Sequence, residues 1–413
     1  MRSESCLFEH QLTNGLQVIG QQIPGVESAS AMFWVKTGAR NEDPGLEGVS
    51  HFLEHMAFKR TRTRTYEDVN REFEEMGAEN NAFTWLEMTA YHARVLGDRL
   101  PDAIELLADL THPVIDQADF DQERKVILEE IARHRDQPYS LVIDEFLQTC
   151  FPGRPLGHST LGSSESIGAM KVDDMKAYWR RRYGADNMIF SVAGNFDWDR
   201  VVEQVQGVTA DWHQLDGDGW EPAGLPSTGR HILAEDRWNQ EHIVLGVPSI
   251  QQGDRHEYAA AILSTILGDD TGSRLFWSIN QTGLADQIGS GLLSFSDAGL
   301  LFVIAVTTPD KARRTLGVIR DELRALEQGD IASDELERAR TKLLTSNVIE
   351  AESTQARMMG IVDSWLSKGR LETLDEVRAG LEAVTVRDLQ DYLERFPLTA
   401  DGVLTAVGPL DSL

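Results

Sequence analysis

Cysteine is nearly missing from this chain: Cys6 and Cys150 are the two among 413 residues. Two thiols cannot build a disulfide framework, and zinc modules assembled from clustered cysteines are excluded with it. Long apolar runs are missing as well; none approaches the ~18 residues that a membrane-spanning helix needs. Positive charge is scarce, with 39 Lys and Arg against 67 Asp and Glu and a formal net charge of −28. An acidic surface of this kind disfavours DNA or RNA, whose binding relies on basic groups that displace counterions. The opening MRSESCLFEHQ has no apolar signal core and is not an Arg-rich transit helix, so a cytoplasmic location is expected. What is present, 41% hydrophobic and 26% charged residues, is the composition of a folded globular protein long enough for two or three domains.

The chain repeats itself. VDDMKAYWRR at 172–181 is followed by IFSVAGNFD at 189–197, and VRDLQDYLER at 386–395 by VLTAVGPLD at 403–411. A single offset of 214 relates Asp174 to Asp388, Tyr178 to Tyr392, Arg181 to Arg395 and Gly194 to Gly408. Each copy reads as an amphipathic helix, a turn and a short β-rich run stopped by glycine. A period near half the chain indicates a duplicated domain and not a solenoid. The expected division is 1–212, a Gly- and Pro-containing linker at 213–230, and 231–413. Strands are expected at 16–37, 81–95, 231–248 and 291–307. Helices are expected near 45–60, 65–77, 98–111, 117–136, 171–183, 254–268, 310–328, 333–367 and 384–396. Strands followed by runs of helices imply an α+β fold, two homologous domains each with a mixed, mostly antiparallel sheet packed with helices.

Chemistry concentrates in GLEGVSHFLEHMAF at 45–58. Residues four apart share a helix face, so His51 and His55 can converge on one ion, with Glu54 on the same side. Val49, Phe52, Leu53, Met56 and Ala57 form the opposite, core-facing stripe. Neutral imidazoles suit Zn²⁺, and a nearby carboxylate can take a proton from water activated by the metal. H-x-x-E-H is the inverted form of the H-E-x-x-H zinc motif. A third ligand is sought on the helix 117–136, which stops before Pro138. Glu129 has Lys125 and Arg133 one turn away, the pattern of a solvated face. Glu130 neighbours Val126 and Ile127, with Glu123 two turns earlier, and a carboxylate turned to an apolar side needs a cation. Glu130 is therefore the candidate ligand and Glu123 a carboxylate that orients the site; ordinary helix salt bridges are the alternative.

VKTGARNEDPGLEGVSHFLEHMAFKRT at 35–61 resembles the signature of the pitrilysin-type (inverzincin) zinc metallopeptidases. The likeness is to their half-size branch, which includes bacterial peptidases and the mitochondrial processing peptidase. It extends to GAENNAFTWLEMTAY at 77–91, ERKVILEEI at 123–131, GSRLF at 272–276 and GLA at 283–285. The resemblance implies two repeated α+β halves, with His51, His55 and Glu130 as zinc ligands and Glu54 as general base. It gives Glu123 the part of the family's additional catalytic-site glutamate. It also implies an edge strand with Asn81, Ala82 and Thr84 at the positions that bind substrate backbone. The implied activity is endopeptidase cleavage of short or unfolded peptides. One departure stands out: where the family carries an Arg and a Tyr in its second half, this chain has Asn280 and Asp286. A homologous partner subunit supplying that pair in a heterodimer is expected, a homodimer being the other arrangement. The alternative function is a non-catalytic scaffold or core subunit of the same fold.

Overall fold

Alternating and doubly buried apolar runs pair into two sheets. The structure, a computed structural model, describes residues 6–215 and 222–413. The first half supplies β1 (Cys6–Gln11), β2 (Gln17–Gln22), β3 (Ser28–Val35), α1 (Val49–Ala57), α2 (Tyr66–Met76), β4 (Glu79–Thr84) and β5 (Thr89–Leu96). It continues with α3 (Leu100–Leu110), α4 (Gln117–Arg135), α5 (Pro138–Cys150), α6 (Ser164–Ala169), α7 (Val172–Arg182), β6 (Met188–Gly194) and α8 (Trp198–Val208). The second half supplies β7 (Gly229–Ala234), β8 (Glu241–Pro248), α9 (Glu257–Gly268), β9 (Gln287–Ser294), β10 (Gly299–Thr307) and α10 (Pro309–Glu327). It closes with α11 (Ser333–Glu350), α12 (Thr354–Lys368), α13 (Leu374–Ala383), α14 (Val386–Arg395) and β11 (Val403–Gly408).

The strand orders are β1-β2-β6-β3-β5-β4 and β7-β11-β8-β10-β9. In each, the closing strand of the half is inserted between its first strands: β6 runs parallel to β2 and antiparallel to β3, and β11 parallel to β7 and antiparallel to β8. The duplication read from one offset thus reappears as one topology, with β1 added to the first sheet. The two sheets are mixed and mostly antiparallel, and helices pack on them in an α+β arrangement.

The compact units are not continuous stretches. One comprises Met1–Ala132, His158–Glu221 and Ile349–Glu372; the other comprises Arg133–Gly157, Pro222–Val348 and Thr373–Leu413. The reason is burial on both sheet faces. In the first unit β3 sends Ala31, Phe33 and Val35 to a core shared with α1, α3 and α4, and Met32 and Trp34 to the opposite face. Met358, Ile361 and Val362 of α12 cover that second face. At roughly 1.5–3 kcal/mol per buried large apolar side chain, those three contribute several kcal/mol to docking α12. The helix also satisfies buried hydroxyls, Ser30 bonding Thr354 at 2.8 Å and Ser191 donating to the Met358 carbonyl at 3.0 Å. In the second unit α5 takes the corresponding place. Its Phe146 ring lies on the backbone of Gly246, where a Cβ would come 2.3 Å from the ring.

The helix expected over 333–367 is two helices. Residues 351–353 break it, and the Ser353 side chain accepts the Ala356 N–H to cap α12. Neither Gly nor Pro marks that break. Helices α5, α6, α8 and α13 lie where none was expected. Part of the expected linker, 216–221, lies outside the described residues.

Candidate metal centre

The helix that carries the histidines begins at a position only glycine can fill. Gly48 has φ +91°, and a Cβ there would lie 2.5 Å from the Leu161 carbonyl oxygen. The first amides of α1 are satisfied from a distance: the Glu42 carboxylate accepts the Gly48 N–H at 2.7 Å and the Ser50 N–H at 2.8 Å. Burial pushes Glu42 up to about 8 against the effect of those bonds. The Ser50 hydroxyl is held in turn by Tyr178 at 2.6 Å. Val49, Phe52, Leu53, Met56 and Ala57 are fully buried. Phe52 stacks on Phe120 of α4 with ring centroids 4.6 Å apart, which seats the helix bearing Glu123 and Glu130 against α1.

His51 Nε2 and His55 Nε2 each lie 3.8 Å from Glu130 Oε2. One ligand atom from each of the three residues falls within 4.8 Å of the others. Two imidazole nitrogens and a carboxylate oxygen are a donor set that suits Zn²⁺. Burial, followed by the neighbouring His55, lowers His51 to about 3, so its imidazole stays neutral and able to ligate. His55 Nδ1 meets Glu123 Oε1 at 2.8 Å, leaving Nε2 on the Glu130 side. Burial opposes charge on His55, yet Glu123, Glu54 and Glu130 together raise its pKa. The surroundings favour positive charge at this point, which a divalent cation would supply. These residues fit the metal.

Glu123 is 3% exposed and also lies 2.6 Å from Lys59 Nζ. Burial works against its ionisation, but the contacts with His55 and Lys59 prevail and its pKa is lowered. Sequence reasoning missed Lys59; its place four residues after His55, in a chain poor in lysine, was the available signal. The buried side of α4 consists of Phe120, Glu123, Ile127 and Ile131. Val126, placed on that side from sequence, is 39% exposed, and Glu130 sits half-buried at the border. Glu129 is exposed.

Glu54 is 9% exposed and accepts a hydrogen bond from Thr84 Oγ1 at 2.5 Å. Burial raises its pKa, opposed by Thr84 and His55 and assisted by Glu130. Thr84 belongs to β4, the outer strand of its sheet, whose register pairs Asn81 with His92, Ala82 with Tyr91 and Thr84 with Thr89. Asn81 is exposed, whereas Ala82 points into the core. The Thr84 hydroxyl is thus engaged with Glu54, a contact the edge-strand reading did not foresee. In the other unit Asn280 Nδ2 donates to the Asp286 carbonyl at 3.2 Å, and Gln240 Nε2 donates to the Asp286 carboxylate at 2.6 Å.

Residues 17–164 match the family profile described as insulinase (peptidase family M16), and residues 169–343 match the profile described as peptidase M16 inactive domain. An uncharacterized zinc protease of Streptomyces coelicolor is 35% identical over 97% of this chain and 89% of its own length. One of Bacillus subtilis is 30% identical over 96% of this chain and 97% of its own. The crystal structure of a protease from Helicobacter pylori superposes with a TM-score of 0.91 at 22% identity, covering 98% of this chain and 100% of that one. A two-domain α+β chain with an inverted zinc motif defines the class. This chain belongs to peptidase family M16, in its half-size branch.

Proposed function

We propose that this chain is the zinc-bearing subunit of an endopeptidase that cleaves short or unfolded peptides. The observation that carries the reading is the convergence of His51, His55 and Glu130 within 4.8 Å beside the buried Glu54. His51, His55 and Glu130 would hold one Zn²⁺, which supplies Lewis-acid chemistry when bound. Glu54 takes the proton of the attacking water and later delivers it to the leaving amine nitrogen. Its raised pKa suits a group that must both accept and return a proton. Glu123 orients His55 through Nδ1, and Lys59 keeps Glu123 ionised. The open edge of β4, at Asn81, Ala82 and Thr84, adds the substrate backbone as a further strand. Main-chain pairing of that kind demands extended chain and little sequence.

Asn280 and Asp286 leave the chain without the guanidinium and phenol that its resemblance calls for. A homologous partner subunit supplies them. An alternative role as a scaffold is favoured by the same two residues and by the match of the second half to an inactive-domain profile. Glu54→Gln tests the enzyme reading: bound zinc is retained and peptide cleavage falls by roughly 10²–10⁴. Unchanged cleavage refutes the base assignment, and purified protein without zinc favours the scaffold. Assaying the chain with and without the product of a homologous gene tests the partner; full activity alone, with no gain on mixing, rules it out.

A further inference from the structure

The second unit holds a cavity of about 330 Å³ lined by α10, the β7, β8 and β11 strands and the turn at 398–402. Leu323 and Leu404 are buried in it, at 4% exposure each, and make an apolar floor. Arg230, Arg320 and Arg324 line the same cavity and are solvent-exposed, so they form its rim. Three guanidinium groups around one small space repel one another unless an anion lies among them.

The chain has carboxylates in excess, and several arginines elsewhere take them, among them Arg62 with Asp211, Arg94 with Glu79 and Arg274 with Glu335. Arg230 and Arg320 have no ion-pair partner among the described residues. Arg324 holds Asp321 at 2.7 Å, an exposed pair of little strength. Asp401 is the acid that lines the cavity. Glu327, at the end of α10, is turned onto the N–H and hydroxyl of Thr399 at 2.6 and 2.8 Å. That contact ties down the wall, and Gly402 fixes its other end, where a Cβ would meet the Gly246 carbonyl oxygen at 2.2 Å. The cavity is therefore preformed.

We propose that this cavity binds a small organic phosphate, its phosphoryl oxygens taken by Arg230, Arg320 and Arg324 and its apolar body laid on Leu323 and Leu404. A phosphate presents three terminal oxygens to three planar donor forks, where a carboxylate offers only two. The apolar floor gives an organic ester an advantage over the bare ion. The site is separate from the peptidase chemistry, so it stands or falls independently of it.

Phenyl phosphate, inorganic phosphate, benzoate and benzyl alcohol are the probes, titrated calorimetrically into the full chain at low salt. Phenyl phosphate binds saturably, at least about tenfold more tightly than inorganic phosphate or benzoate, and benzyl alcohol does not bind. The Arg230→Ala/Arg320→Ala variant keeps the unfolding temperature, since neither side chain has an ion-pair partner among the described residues, and weakens phenyl phosphate at least about tenfold. Asp401→Asn tightens it by removing the opposing charge. Absence of saturable phenyl phosphate binding, equal affinity in the double variant, or benzoate binding as tightly as phenyl phosphate overturns the proposal.

Discussion

Thr84→Val separates two roles for one hydroxyl. The substitution keeps the β-branched shape and removes the donor that lies 2.5 Å from Glu54 Oε2. Hydrogen bonds to a charged group contribute about 1.5–3 kcal/mol when the partner is left unsatisfied, and Glu54 is buried, with little water available as a substitute. If that bond holds the carboxylate in the geometry from which it takes a proton, the loss falls on the transition state. The expected drop in kcat is then roughly 10- to 150-fold with KM little changed. An edge-strand contact between Thr84 and the substrate would give the opposite split, a raised KM at constant kcat. The assay is steady-state cleavage of a quenched fluorescent peptide by the active assembly, beside metal analysis of each variant. Zinc content should be unaltered, and Thr84→Ser, which restores the hydroxyl, should recover most of the rate. A kcat within about twofold of the parent at unchanged zinc content refutes the positioning role.

Glu123→Gln and Lys59→Met should each weaken zinc binding about 10- to 100-fold, because His55 loses the carboxylate that orients Nδ1 or the charge that sustains that carboxylate; competition with a chromophoric chelator measures this. Glu42 titrates near 4.5 in an unfolded chain and up to about 8 when buried, so the folded state binds the extra proton between those values. Its contribution to stability is present at low pH and lost as pH rises through about 8. Urea melts across that range should therefore show a flatter fall for Glu42→Gln than for the parent, by roughly a few kcal/mol. Gly246→Val should lower the unfolding midpoint, since the new side chain must displace the Phe146 ring, which a Cβ would approach to 2.3 Å. An overpacked core of this kind costs about 1–3 kcal/mol, readable in the same melts.

Features that depend on spacing along the chain are legible in the sequence alone. The i, i+4 interval brings the His51 and His55 rings to 4.6 Å between centroids, and the helical period of α4 sets the buried Glu123 apart from the exposed Glu129, with Glu130 at the border of that face. The offset of 214 shows the duplication and, with it, the equivalence of β6 and β11 at the middle of each sheet. Each of these follows from backbone geometry that neighbouring residues impose on one another.

Contacts between distant segments are another matter. Thr84 reaches Glu54 across 30 residues and Lys59 reaches Glu123 across a longer gap, and no local period encodes either pairing. The break at 351–353 carries no proline or glycine; its meaning lies in α12 covering β2, β3 and β6, a face that local sequence cannot point to. For the same reason α5, whose own pattern passed unnoticed, packs in the unit built mainly from the second half. By itself the sequence determined the family and the repeat, and it proposed His51, His55 and Glu130 as the residues to hold a metal. The tertiary structure alone decided that Thr84 meets Glu54, that Lys59 meets Glu123 and which helix closes which sheet, because such contacts and the burial of both faces are properties of the assembled layers and not of any one strand.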